Sequence, residues 1–379
     1  MLIVQSYPDH RMDERLMNDL IKVMSIDDSS LSLRILSNIV NSQPDMKMVA
    51  VSVDPFEAES LIQKERPDVI TLDVEMPKID GLSFLKQLMK TNPVSVVMVS
   101  SLTEKGAETT LKALEYGAID FVTKPRSDGI SRQDFEQELI SKIRIAYQAK
   151  QQDYKESFSQ RNVSLETNKP VAVKKKAIKA IDLILIGSST GGTEALRTIL
   201  EQLPESTPPI LITQHMPVGF TKKFADRLNV HSKMTVVEAQ DGQLVKKGCV
   251  YIAPGGLHLA VGKNSLGYVC KVIDSEPINR HCPSVQCLFE SALAFDVRSM
   301  MAIMLTGMGK DGAEAMAKLH GAGAFTICQD EKSCVVFGMP GAAIALGAAD
   351  KITPLHNISA EIQTYANLSV FANNETFSS

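Results

Sequence analysis

Residues 181–192 read IDLILIGSSTGG, and TEALRTILEQL follows at 193–203. An apolar run stops abruptly at small residues, and a helical period then begins. The pattern is that of a buried strand, a tight turn and a helix N-terminus. Across the turn, Gly187-Ser188-Ser189-Thr190-Gly191 fits G-x-S-x-G with Ser189 at its centre. Such a serine is held on a sharp elbow above a sheet edge, and the flanking glycines permit the backbone path and leave room for a substrate. The same residues also suit a Gly-rich loop that cradles a phosphate at a helix N-terminus. The stretch fixes an α/β domain but leaves nucleophile and phosphate loop both open.

Downstream the alternation continues. PILITQHM precedes TKKFADRLN, and TVVEA, CVYIAP, LHLAVG and YVCKVID read as short strands, the last two hairpin-like. SVQCLFESALAF, MMAIMLTG, GAEAMAKLHGAG, AFTICQ, PGAAIALGAA, KITPL and SAEIQTYAN then alternate helix and strand. A three-layer α/β/α domain with a mostly parallel sheet and an inserted hairpin is expected over 181–367. A nucleophilic serine needs a base, and the base an orienting carboxylate. His215 directly follows a core-type strand, as Ser189 does, and Asp311 follows another in MLTGMGKDG. Parallel strands bring all three to one edge. Their order, Ser…His…Asp, differs from the Ser…Asp…His of α/β-hydrolases. His281, in NRHCPS, competes with His215 as base, and only geometry can decide between them.

Upstream, strand and helix patterns alternate five times between residues 21 and 150, which implies a parallel sheet covered on both faces. Ligands of such sheets sit at the carboxyl ends of the strands. There the strands end in Asp27-Asp28, Asp73, Ser100 and Lys124-Pro125. Carboxylates gathered at one rim repel unless a cation sits among them, and an oxygen-seeking ion such as Mg²⁺ suits them. Asp73, the central one, is a candidate phosphoryl acceptor. Between the domains, 147–180 lacks apolar periodicity and reads as a linker, its lysines at 174–176 as solvated. Residues 1–20 form an N-terminal extension and 368–379 a flexible tail.

Composition narrows the classes. The formal charge of -4 gives no electrostatic case for nucleic acid. No apolar run reaches membrane-spanning length and the N-terminus lacks a signal-peptide core, so a cytoplasmic protein without membrane insertion is expected. The cysteines at 249, 270, 282, 287, 328 and 334 form no C-x-x-C, and they read as buried or incidental thiols.

SIDDSS, TLDVEMPKIDG, VMVSSL and FVTKP resemble the receiver domain of bacterial response regulators, a flavodoxin-like (βα)5 fold, over 21–146. That resemblance implies phosphorylation of Asp73 by a histidine kinase, with Mg²⁺ bound by Asp27, Asp28, Asp73 and the Glu75 main-chain carbonyl. It also implies switch positions Ser100, Phe121 and Lys124, and a cis Lys124–Pro125 bond. IGSSTGGTEAL, ILITQHMP, YIAPGG, NRHCPSV, LTGMGKDGA and SCVVFGMPGAA resemble the catalytic domain of the chemotaxis protein-glutamate methylesterases, the CheB family. Carried over, Ser189 is the nucleophile, His215 the general base and acid, and Asp311 the orienting carboxylate. Thr190 and the Met308 main chain lie beside the reacting centre, where backbone donors form an oxyanion hole. The implied reaction is hydrolysis of glutamate methyl esters on chemoreceptor helices and deamidation of receptor glutamines. No esterase cofactor is implied, and the chain is expected to act as a monomer. The unphosphorylated receiver is expected to cover the Ser189 rim. Ser188 and Cys282 depart from the alanine and arginine usual in these motifs, and NNETF at 373–377 lacks the tryptophan of a receptor-type NWETF.

Overall fold

The computed structural model describes residues 20–76, 81–101, 103–125, 131–159 and 181–374. The extension before residue 20, the lysine run at 174–176 and the chain from 375 onward lie outside them. The described residues form two compact units.

The first unit is built on strands β1 (Ile21–Ile26), β2 (Met46–Ser52), β3 (Val69–Asp73), β4 (Ser95–Ser100) and β5 (Asp120–Thr123). Helices α1 (Ser30–Asn41), α2 (Pro55–Glu65), α3 (Gly81–Thr91), α4 (Glu104–Glu115) and α5 (Arg132–Ser159) alternate with them. The strands pair in parallel in the order β2-β1-β3-β4-β5. Every residue of β3 and β4 is buried, as expected of strands covered on both faces. Ser29 caps α1 by accepting from the Ser32 amide, and Asp54 caps α2, which opens at Pro55. Phe135, Leu139, Ile143 and Ala146 form the apolar stripe that α5 buries against Val97, Val99 and Val122. The strand order reverses between β1 and β3, which places the crevice of this fold at Asp27 and Asp73.

The linker expected from 147 begins inside α5, which runs on to Ser159. Apolar periodicity lapses there, but Gln, Ala, Lys and Glu are good helix formers. Periodicity reports the buried stripe rather than the end of the helix. The last helix likewise passes the expected boundary at 367 and runs to Asn374. The cis peptide among the described residues is Cys282–Pro283, and Lys124–Pro125 is trans. Either isomer of an X–Pro bond costs little, so its surroundings decide.

The second unit has a seven-stranded sheet of β6 (Leu183–Ser188), β7 (Ile210–Gln214), β8 (Thr235–Glu238), β9 (Cys249–Ile252), β12 (Met300–Met304), β13 (Phe325–Gln329) and β14 (Lys351–Thr353). Its order is β14-β13-β12-β6-β7-β9-β8, parallel throughout. Strands β10 (His258–Asn264) and β11 (Gly267–Ile273) form a separate antiparallel hairpin. The helices are α6 (Gly192–Leu200), α7 (Thr221–His231), α8 (Val285–Ala292), α9 (Ala313–Ala322), α10 (Met339–Ala345) and α11 (Leu355–Asn374). Side chains alternate across the strands. Leu183, Leu185, Leu211, Met300 and Met304 pack with Leu288 and Phe289 of α8, Met316 and Leu319 of α9 and Met339 of α10. Ile184, Ile186, Ile210 and Ile212 are buried on the opposite face. Strand β6 is therefore the central strand of a three-layer sandwich, and its carboxyl end is the turn quoted at the outset. Among the described residues, no helix is long and apolar enough to cross a membrane.

Candidate active site

Strands β6 and β7 stay in register to their last pair, Ser188↔Gln214. Ser189 and His215 are each the next residue, so the ladder delivers them side by side. The elbow is tied down from its neighbours. The Ser189 amide donates to Thr306 O at 3.0 Å, and the Gly192 amide to Ser189 O at 2.7 Å. Gly191 sits at φ 77°, where a Cβ would come within 2.7 Å of Val335. Gly307 lies against the serine, since a Cβ there would approach Ser189 Cβ to 2.8 Å. Two amides of the turn are thus already committed to carbonyls, which counts against the phosphate-loop alternative.

Asp311 lies past the end of β12, in the turn that leads into α9, and its carboxylate is buried. Oδ2 accepts from His215 Nε2 at 2.9 Å and from the Val285 amide at 2.6 Å. Oδ1 accepts from Ser284 Oγ and from Asn279 Nδ2, both at 2.8 Å. Ser284 is the N-cap of α8, so the carboxylate occupies a helix N-terminus, where negative charge is favoured. Burial is the largest influence on this group and works to raise its pKa. The bond and charge of His215, with the bonds from Asn279 and Ser284, overcome it and hold Asp311 down at about 2.

The contact with the carboxylate sets the tautomer of the neutral ring. An ionised carboxylate only accepts, so His215 Nε2 carries the hydrogen, and Nδ1 of a neutral ring is left as the acceptor. Nδ1 is buried and has no hydrogen-bond partner. The ring therefore offers a vacant proton acceptor on the strand next to Ser189. His281 stacks flat on His215, with centroids 3.7 Å apart and planes 10° apart. Of the two histidines, His215 binds the carboxylate and His281 stacks on its ring.

The sequence did not assign roles to Asn279, Ser284 or Gln214. Asn279 and Arg280 take positive φ, 53° and 68°, as the two central residues of a tight turn closed by Ile278 and His281. This is the geometry of a type I′ turn. It sends Asn279 to Asp311 and His281 to His215. Buried His258 braces the segment from behind, joining Glu276 O through Nε2 and the Ser284 amide through Nδ1. The available signal was the cluster NRHCPSV itself. Thr190 is buried and Met308 half-exposed beside this site, with the Thr190 carbonyl accepting from Thr306 Oγ1 at 3.0 Å.

In the first unit, ligand atoms of Asp27, Asp28 and Asp73 lie within 4.8 Å of one another. Lys124 Nζ reaches Asp27 at 2.8 Å and Asp73 at 2.9 Å. Burial raises the Asp73 carboxyl above its usual range against the pull of Lys124, and the charge of Asp27 adds to the rise. Burial lowers Lys124, but its bonds to Asp27 and Asp73 overcome this and raise it. Three carboxylates against one ammonium leave excess negative charge on hard oxygen donors, which fits a small divalent cation. Ser100 and Phe121 are buried on the adjoining strands. The Lys124 amide donates to Ser100 O at 2.7 Å, and the Glu75 amide to Asp73 Oδ1 at 3.4 Å.

Fold and site together define a receiver-type domain joined to a hydrolase-type domain. Residues 23–132 match the response regulator receiver domain and residues 184–362 match CheB methylesterase. A protein of Pectobacterium atrosepticum named protein-glutamate methylesterase/protein-glutamine glutaminase is 49% identical over 340 residues, covering 89% of this chain and 95% of the relative. One of the same name from Bordetella bronchiseptica is 50% identical over 348 residues, covering 91% and 97%. Among solved structures, the Thermotoga maritima CheB methylesterase catalytic domain is 40% identical, covering 48% of this chain and 98% of that one with a TM-score of 0.47. The chain belongs to the CheB methylesterase family.

Proposed function

We propose that this chain is a phosphorylation-activated serine esterase. It hydrolyses glutamate methyl esters on chemoreceptors with release of methanol, and deamidates specific receptor glutamines to glutamate. The observation that carries the reading is His215, bound to a buried ionised carboxylate through Nε2 while its buried Nδ1 stays vacant one strand from Ser189. His215 Nδ1 takes the Ser189 proton as Oγ attacks the side-chain carbonyl. Asp311 stabilises the imidazolium that forms. The family resemblance assigns Thr190 and the Met308 main chain to the neighbourhood of the oxyanion, where backbone donors would stabilise it. The imidazolium returns its proton to the departing methoxide oxygen, which leaves as methanol, or to the glutamine nitrogen, which leaves as ammonia. Water activated by the same nitrogen then hydrolyses the glutamyl-enzyme, and no cofactor enters these steps.

Asp73 is the phosphoryl acceptor for a histidine kinase. Asp27, Asp28, Asp73 and the Glu75 carbonyl would hold Mg²⁺, which when bound supplies positive charge to the incoming phosphoryl group. Lys124 adds a second positive charge there, and Ser100 and Phe121 respond to the phosphate. The protein is assigned to the cytoplasm as a monomer. Methanol release from methylated receptor membranes tests the reading. Ser189→Ala should lower turnover by on the order of 10⁴–10⁶-fold, and wild-type rates in that variant refute it.

A further inference from the structure

Ser189 and His215 both lie beyond the last rung of the ladder that joins their strands. The His215 amide still donates to Ser188 O at 3.1 Å, but that backbone bond stops one residue short of Ser189. One side chain takes over. Gln214 is buried at the end of β7. Its Nε2 donates to Ser189 O at 3.0 Å and to His215 O at 3.1 Å, while its Oε1 accepts from Ser188 Oγ at 2.7 Å. A carboxamide has two donor hydrogens and an acceptor oxygen in one plane, and here each is used. The donors tie together the carbonyls of the two residues that must exchange a proton, and the acceptor fixes the amide from below. The helix start leaves room for this arrangement: a Cβ on Gly192 would come within 2.2 Å of Gln214 Oε1.

We propose that Gln214 is a positioning residue that sets the distance between Ser189 and His215. It touches no reacting atom and acts through the two backbones. The proposal rests on Ser189 and His215 serving as nucleophile and base. No other side chain of this length combines both donors with the acceptor. Ionised glutamate would face two carbonyl oxygens with acceptors only, and methionine would remove the partners of the His215 carbonyl and the Ser188 hydroxyl and leave the Ser189 carbonyl held by the Gly192 amide alone. A misplacement of about 1 Å between reacting groups costs roughly 10²-fold in rate.

The test uses the full chain and two readouts. One is methanol release, for kcat and KM. The other is labelling of Ser189 by a fluorophosphonate, which needs the serine–histidine geometry but no receptor. In Gln214→Met, kcat per folded molecule should fall roughly 10²-fold and labelling should slow in parallel, with KM within about twofold of wild type. A kcat per folded molecule within threefold of wild type overturns the proposal, because a purely structural role would lower the folded fraction and not the turnover of what is folded. Gln214→Glu supplies a second test should the methionine variant fold poorly. Protonation restores one donor to its side chain, so its labelling rate relative to wild type should rise as pH falls. A ratio that stays flat with pH overturns the proposal. Ser189→Ala separates the two levels. If it abolishes turnover and labelling while the Gln214 variants behave as wild type, only the positioning role is lost; if it abolishes neither, the underlying assignment fails.

Discussion

Replacing Asp311 by asparagine keeps the shape of the side chain and removes its charge, and the structure sets two separate consequences. The carboxylate now accepts from His215 Nε2, the Val285 amide, Ser284 Oγ and Asn279 Nδ2. An asparagine has one oxygen for these donors and turns an NH₂ toward the rest. If the NH₂ faces His215, Nε2 must accept, and the ring hydrogen moves to Nδ1, the nitrogen proposed to receive the serine proton. A wrong tautomer of this kind costs about 10⁴-fold in kcat. Stability changes independently. Lowering the carboxyl from 3.8 to about 2 corresponds to on the order of 2.5 kcal/mol of folding free energy. Because the folded value lies below the unfolded one, that stabilisation is complete above pH 3.8 and is lost as pH falls through about 2. Asp311→Asn should therefore be less stable than wild type by that amount at pH 7. The gap should narrow below about pH 4 and close near pH 2. Methanol release and denaturant unfolding over a pH series measure the two effects. Turnover within tenfold of wild type would refute the orienting role, and a stability gap that ignores pH would refute the charge network.

Other perturbations address the remaining parts. Asp73→Asn should lose both phosphoryl incorporation and stimulation of methanol release by acetyl phosphate. EDTA should remove the same stimulation from the wild type while leaving its basal turnover in place; full stimulation in either case contradicts the acceptor and metal assignments. His281→Ala removes the ring that lies 3.7 Å from His215 and should lower kcat about fivefold, at roughly 1 kcal/mol for a lost ring contact. His281→Phe should recover most of that loss, and a phenylalanine variant no better than alanine would show that the flat stack does not matter. Gly307→Ala places a Cβ 2.8 Å from Ser189 Cβ and 2.4 Å from Met339 Sδ. It should cost about 1–3 kcal/mol of stability and at least tenfold in kcat, measured by thermal unfolding and methanol release, whereas unchanged kcat would show that Ser189 tolerates displacement.

Much of this molecule could be read before it was seen, for a physical reason. Strands buried on both faces appear in sequence as unbroken apolar runs, and in a parallel sheet the residue after each run falls on one rim. That rule alone gathered Ser189, His215 and Asp311 in one unit, and Asp27, Asp73 and Lys124 in the other. It depends on short-range pattern plus a single topological fact. The helix that continues to Ser159 escaped it because its last turns carry no apolar period in the sequence. The inner workings of the site escaped it too, since they depend on contacts that no local pattern encodes. Gln214 read as the end of a strand, and only its bonds to the Ser189 and His215 carbonyls show that its amide joins those two backbones.

The turn at 278–281 is the sharpest case. A type I′ turn announces itself as Asn-Gly, because both central residues need positive φ. Here the pair is Asn279-Arg280, and Arg280 has a Cβ that disfavours φ 68° by about 1–3 kcal/mol. A strained turn persists only where its surroundings over-determine it. Asn279 is bonded to Asp311, His281 is stacked on His215, and the segment is pinned through His258 to Ser284. Asp311 and His215 are thus also what holds the turn in place. A conformation unfavourable on its own is maintained by the charge network it completes, so loosening Asp311 should release the turn and free the His215 ring together.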